Sequence, residues 1–176
     1  QDVPGPLQDE ILVNSGLGVP MQHPLQVFKI LQDENPWVDV AVTRISISAA
    51  KCTPLFRVSS EQKGRKKIVK GIEKILKKPA KGQTGYNLFL ETYGDLALYG
   101  NCYWQLIRDR KGDLHSIYRL PAEAMRVEPV LEEGNVISFK YIQIYPFKRE
   151  YSYEEVIHFK TTNKKSFLYG KPVFYS

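Results

Sequence analysis

The stretch Glu91–Leu114, ETYGDLALYGNCYWQLIRDRKGDL, decides how the chain is read. Its first half predicts the end of a helix over 85–99, capped by Thr84, with an apolar face of Tyr86, Phe89, Leu90, Tyr93, Leu96 and Ala97. Gly100 follows where helices commonly end left-handed, a conformation glycine adopts without a Cβ penalty. From Cys102 the pattern is that of a strand, Arg110–Asp113 is a hairpin loop with Gly112 at its positive-φ site, and LHSIYRL returns. Trp104 and Leu106 share one face of the first strand, and Tyr103 and Ile107 the other. Both faces are apolar, so each needs a covering layer. One layer is expected to be the helix, and the other a second layer or another molecule.

On the N-terminal side, Pro79 ends a basic helix with a narrow apolar stripe of Ile68, Ile72, Ile75 and Leu76. Its flanking cations, Lys63, Arg65, Lys66, Lys67, Lys70, Lys74, Lys77 and Lys78, form either a solvated face or a patch for DNA or another subunit. Before it, PWVDVAVTRISISAAKC predicts a helix with Asn35 as N-cap, Pro36 at the first position, and Val38, Val42, Ile45 and Ala49 on one face. PLFRV reads as a strand. Gly and Pro punctuate residues 1–34, which read as an extended arm with a short helix at 25–32.

On the C-terminal side, Pro121 opens a turn. MRVEPVL and VISFKYIQI are strands joined at Glu133–Asn135, with Pro129 demanding an edge or bulge. Ser152 and Glu155 stand at capping-box spacing before a strand at 156–160. The class is α+β: antiparallel hairpins packed on several helices.

A chain of 176 residues with 43% hydrophobic and 25% charged residues can bury a real core, so disorder is not the default. A net charge of +6 admits nucleic acid or an acidic partner without establishing either. Cys52 and Cys102 have no metal-ligand spacing; one disulfide could join them, and two free buried thiols are the preferred reading. No apolar run reaches the roughly 18 residues of a membrane span. No secretory signal opens the chain, and both ends read as those of a fragment.

Chemistry-bearing patterns are sparse. His23, His115 and His158 are far apart, and His158 reads as a packed or hydrogen-bonded strand residue. Glu91 and Asp95 share a helix face and could pair with lysines. No phosphate loop or nucleophile elbow is present, so an enzyme reading has little support and no cofactor is implied. A sequence-independent nucleic-acid-binding module stands as an alternative, with the lysines on phosphate and Tyr103 or Trp104 as stacking platforms.

Taken in order, the motifs resemble those of tailed-bacteriophage portal proteins. PWVDVAVTRISISAAKCTPLFRV is similar to the family's W-V opening. LYGNCY resembles its Leu-x-Gly-Asn-x-Tyr core, followed by the Arg-Asp hairpin and Leu-x-Pro. YSYEEVIHFK and LYGKPVFYS resemble a later strand and the step into a long helix. The likeness runs from Pro36 to the end and implies a wing-like domain over 35–176, truncated before stem, clip and crown. It also implies a ring-shaped homo-oligomer, typically of twelve, at the capsid vertex of a virion assembled in the host cytoplasm. Its expected partners are the major capsid protein, the terminase, the head–tail connector and double-stranded DNA held without sequence preference. Trp37, Tyr103, Trp104 and Ile107 are the candidate interface or scaffold residues.

Overall fold

The computed structural model describes residues 25–52, 66–132, 135–164 and 166–174. The strand expected at PLFRV, and most of the expected arm, lie outside them. Among the described residues four helices come first: α1 (Leu25–Glu34), α2 (Pro36–Ala50), α3 (Lys66–Lys77) and α4 (Gly85–Tyr99). Then come β1 (Asn101–Arg108), β2 (Leu114–Leu120), a 3-10 turn (Ala122–Ala124), β3 (Met125–Glu132), β4 (Asn135–Gln143), β5 (Arg149–Ser152) and β6 (Val156–Lys160). The strands form two antiparallel sheets, ordered β2-β1-β6 and β3-β4-β5. The fold is α+β.

Local chemistry accounts for the helix ends. The Asn35 side chain accepts from the Trp37 N–H at 3.1 Å, with Pro36 opening α2. Thr84 Oγ1 accepts from the Asn87 N–H at 3.2 Å to start α4. Gly100 closes α4 at φ +73°, donating its N–H to the Leu96 carbonyl. In the β1–β2 loop, Gly112 has φ +86°, and Asp109 Oδ1 accepts from the backbone of Lys111 and Asp113. Pro129 is tolerated because β3 is an edge strand, next to a register shift at Val130/Leu131.

Strand β1 lies at the centre of the packing. Its even face, with Cys102 and Trp104, joins Leu88 of α4 and Ile117 of β2, and Ile75 and Leu76 of α3 pack against this group. Its odd face places Tyr103 in the larger core with Leu120, Val156, and Val127, Tyr141 and Tyr151 of the second sheet. Both apolar faces are therefore covered within the chain, the second layer being the β3-β4-β5 sheet. Burying a large side chain this fully stabilises by roughly 1.5–3 kcal/mol, and Cys102, Tyr103 and Trp104 are at most 5% exposed.

Several expectations need correction. The buried stripe of α4 is Leu88, Thr92, Asp95 and Tyr99, together with Ala97 and Leu98, while Tyr86 is exposed. Two polar residues occupy the buried stripe because their hydrogen bonds are met by side chains of β1 and β2. In α2 the buried positions are Val42, Ser46 and Ala50, with Ile45 outward. This stripe faces α4, where a Cβ on Gly94 would fall 3.4 Å from Ser46 Oγ, an ordinary contact. Ser152 and Glu155 do not cap a helix. The Glu155 carboxylate accepts from the Ser152 N–H and hydroxyl within the turn that carries the chain from β5, in one sheet, to β6, in the other. Both cysteines are free, and Cys52 is exposed rather than buried. The helix expected at 25–32 is α1, which places Phe28 in the main core.

Candidate functional site

Two glycines, distant in sequence, meet at the end of α4. A Cβ on Gly170 would lie 2.0 Å from the Gly100 carbonyl oxygen, and one on Gly100 would lie 2.5 Å from the carbonyl carbon of Lys171. Only glycine admits this crossing. Asn101 ties it together: its Oδ1 accepts from the Gly170 N–H at 2.8 Å, and its Nδ2 donates to the Tyr99 carbonyl at 2.9 Å. The Thr161 N–H donates to the Gly100 carbonyl at 2.9 Å, and the Val173 N–H to the Ala97 carbonyl at 3.0 Å. A helix end leaves its last carbonyls without intrahelical donors. Here Gly100, Asn101 and the returning segment at 168–173 supply them.

His158 closes the corner from β6. Its Nε2 lies 3.0 Å from Asn101 Oδ1, and its ring stacks on Tyr103 at 4.3 Å. Because Oδ1 only accepts, Nε2 carries the proton. Burial, aided by the Lys160 charge, pushes the imidazole down to about 3, so it is neutral at physiological pH. Further along the returning segment, the Tyr169 hydroxyl accepts from the Val127 N–H at 2.8 Å, attaching it to the second sheet.

A buried polar pair braces α4 against β2. Arg119 donates from Nε and Nη2 to the two Asp95 carboxylate oxygens, each at 2.6 Å. Burial pushes the Asp95 carboxyl up to about 6, and Arg119 offsets only part of that rise. One turn earlier, Trp104 Nε1 donates to Thr92 Oγ1 at 2.8 Å, and Thr92 donates on to the Leu88 carbonyl at 2.7 Å. Burial raises the Cys102 thiol to about 12, far from a reactive thiolate. Among the described residues no group of three His, Cys, Asp or Glu is placed to hold a metal.

The sequence candidates separate into interior and surface. Tyr103 and Trp104 are interior, at 0% and 5% exposure, so neither can stack on a nucleic-acid base in this fold. Ile107 is half-buried at the far end of β1. Trp37 is 84% exposed on α2. Lys70, Lys74, Lys77 and Lys78 are exposed on or just after α3, whereas Lys63, Arg65 and the side chains of Lys66 and Lys67 lie outside the described residues. Sequence reading missed the bond between Asp95 and Arg119 and the role of Gly170. The one signal for the latter was the repeated Leu-Tyr-Gly at 98–100 and 168–170.

These features define an α+β structural body whose buried polar side chains join distant segments. The sequence profile of the phage portal protein family matches residues 36–175, and the chain belongs to that family. Among solved structures it is similar to a chain in the virion of the native gene transfer agent particle, with TM-score 0.69 and 18% identity over 94% of this chain and 43% of that one. A chain in the neck of the empty particle, with C6 symmetry, gives TM-score 0.71 and 19% identity over 93% and 45%. One in the neck of the native particle, with C12 symmetry, gives 0.64 and 18% over 93% and 43%. At such identities the likeness is one of fold. The chain spans less than half the length of these structures. No curated protein matches it.

Proposed function

We propose that this chain forms the wing-like part of a portal subunit, within a homo-oligomeric ring, twelvefold by expectation, at the capsid vertex of a tailed-phage-type virion. The observation that carries the reading is the family match across residues 36–175. Double-stranded DNA would pass through the ring during packaging and ejection. The terminase would dock during packaging, and the head–tail connector afterwards. Residues 35–176 would form the wing-like domain, with residues 1–34 as an arm leading into it. The ring's contribution is mechanical: a body whose sheets and helices are cross-tied, as at Gly100, keeps its shape while DNA moves past.

Electron microscopy of the longer protein that contains this chain tests the reading. Rings with an axial channel are expected, and a monodisperse monomer would overturn it. The nucleic-acid-binding alternative now rests on lysine charge alone, since Tyr103 and Trp104 are buried. Lys70, Lys74 and Lys77 lie on one face of α3 and suit phosphate contact without base readout. Replacing all three by Glu should lower the log–log salt slope of DNA binding by about one unit per lost phosphate contact.

A further inference from the structure

Helix α2 carries apolar residues on its outward side as well as its buried one. At 100° per residue, the side opposite its buried Val42–Ser46–Ala50 stripe carries Trp37, Val40, Ala41 and Ile45, broken only by Arg44 and Ser48. Trp37 is 84% exposed, Val40 50% and Ile45 40%. Helix α1 extends this surface with Val27, Ile30 and Leu31, which are 54%, 51% and 38% exposed. A contiguous exposed apolar surface marks an interaction site.

A second surface lies on the opposite side of α4. Gly94 of α4 faces Ser46 of α2, while Gly85, about half a turn round the helix axis from Gly94, abuts the Leu76 carbonyl of α3. Helix α3 carries one apolar stripe. Its C-terminal half, Ile75 and Leu76, packs on the core, but Ile68 and Ile72 continue the stripe at 62% and 37% exposure. Gly71 stands beside them with open space where its Cβ would be.

The two flanks are also opposite in charge. Residues 66–78 hold six lysines against Glu73, whereas α1 and α2 together hold Asp33, Glu34 and Asp39 against Lys29 and Arg44, a small acidic excess. Lys70, Lys74 and Lys77 project away from the Ile68–Ile72 stripe, so this charge acts by steering and orienting an approaching molecule rather than by direct pairing.

We infer that the outward α1–α2 face of one copy docks on the exposed Ile68–Ile72 stripe of α3 in the next, a head-to-tail contact that presupposes the ring reading above. A cyclic ring is built from heterologous contacts, in which two different patches on each subunit meet. One chain here carries two such patches, both apolar, opposite in surrounding charge, and on opposite flanks of a shared helix.

The test uses two variants of the chain, Trp37→Glu and Ile72→Glu, in sedimentation velocity and native mass spectrometry. Both sites are exposed, so circular dichroism and melting should match the parent. The parent should self-associate in a concentration series, more weakly at high salt, and each variant should associate at least tenfold more weakly. Mixed together, they should form a one-to-one heterodimer and stop there, because each supplies the patch the other lacks. A parent that stays monomeric throughout, a variant that associates like the parent, or a mixture that forms no heterodimer would each overturn the inference. Rings of the longer protein that persist with Trp37→Glu would overturn this contact while leaving the portal reading intact.

Discussion

The Gly100 corner and helix α3 both attach one part of the chain to the rest, and they do so by opposite means. At the corner, backbone crosses backbone at contact distance, and Asn101, Thr161 and the segment at 168–173 supply directional hydrogen bonds. Helix α3 is held mainly by Ile75 and Leu76 near its C-terminus, with the Ile117 N–H donating to the Pro79 carbonyl just beyond. Its first half carries exposed isoleucines. Directional bonds with no spare volume tolerate almost no change, whereas a short apolar contact tolerates a good deal. A ring subunit has use for both: a corner that keeps its shape, and a helix with surface left over for a neighbour.

The largest expected effect is at the corner. Gly170→Ala places a methyl 2.0 Å from the Gly100 oxygen and 2.6 Å from the Thr161 nitrogen, both backbone atoms. It should cost more than about 4 kcal/mol, or prevent folding, as changes that break a special backbone site do. A denaturant midpoint close to the parent's would mean that the crossing is looser than described.

Arg119→Met comes next. It leaves Asp95 buried without its guanidinium and should cost about 3 kcal/mol near neutral pH, since Arg119 is itself 27% exposed. The pH dependence has a definite sign. In the parent, the Asp95 carboxyl titrates near 6 when folded, above its unfolded value of about 3.8, so this group's contribution is greatest below the unfolded value and declines as pH rises through 6. Without Arg119 the folded value rises further. The stability gap between parent and variant should therefore shrink as pH falls from 7.5 to about 5.5. Urea unfolding of both proteins at the two pH values measures it, and a gap that widens in acid would contradict the assignment.

The smallest effect is on α3. Gly71 is helical with nothing within 4 Å of its missing Cβ. Gly71→Ala should stabilise by about 0.5–1 kcal/mol, the gain from helix propensity and from a less flexible unfolded chain. A thermal melt shows this as a small rise in Tm; a fall would mean that the space is occupied.

The same contrast explains what could be read from sequence. Elements governed by neighbours a few residues away were legible: the Asn35 and Thr84 caps, the Gly100 helix end, the Gly112 loop, Pro79 as a stop, and the strand at Val156–Lys160. The buried face of α4 was not. Apolar residues lie all round that helix, while the stripe that is buried includes Thr92 and Asp95. Their partners, Trp104 and Arg119, are 12 and 24 residues away. Short β5 was hidden for a related reason: the Ser152–Glu155 spacing that suggests a helix cap also suits the turn after it. The pairing of Gly170 with Gly100 left only the repeated Leu-Tyr-Gly as a trace, because no periodicity links positions so distant. Of the surface residues, the lysines were found by their run of charge and Trp37 through the resemblance to portal proteins. Tyr103 and Trp104 needed the second sheet and α4 to show that they are inside.

Hydrogen exchange resolved to single amides tests the central claim, that the Gly100–Asn101–Gly170 crossing is the most rigid tie in the body. In the dilute chain, the Gly170 and Thr161 amides should exchange only through global unfolding, while those of Ile72 and Glu73 in α3 exchange through local opening at much lower free energy. Exchange of Gly170 and Thr161 as fast as that of α3 would contradict the account.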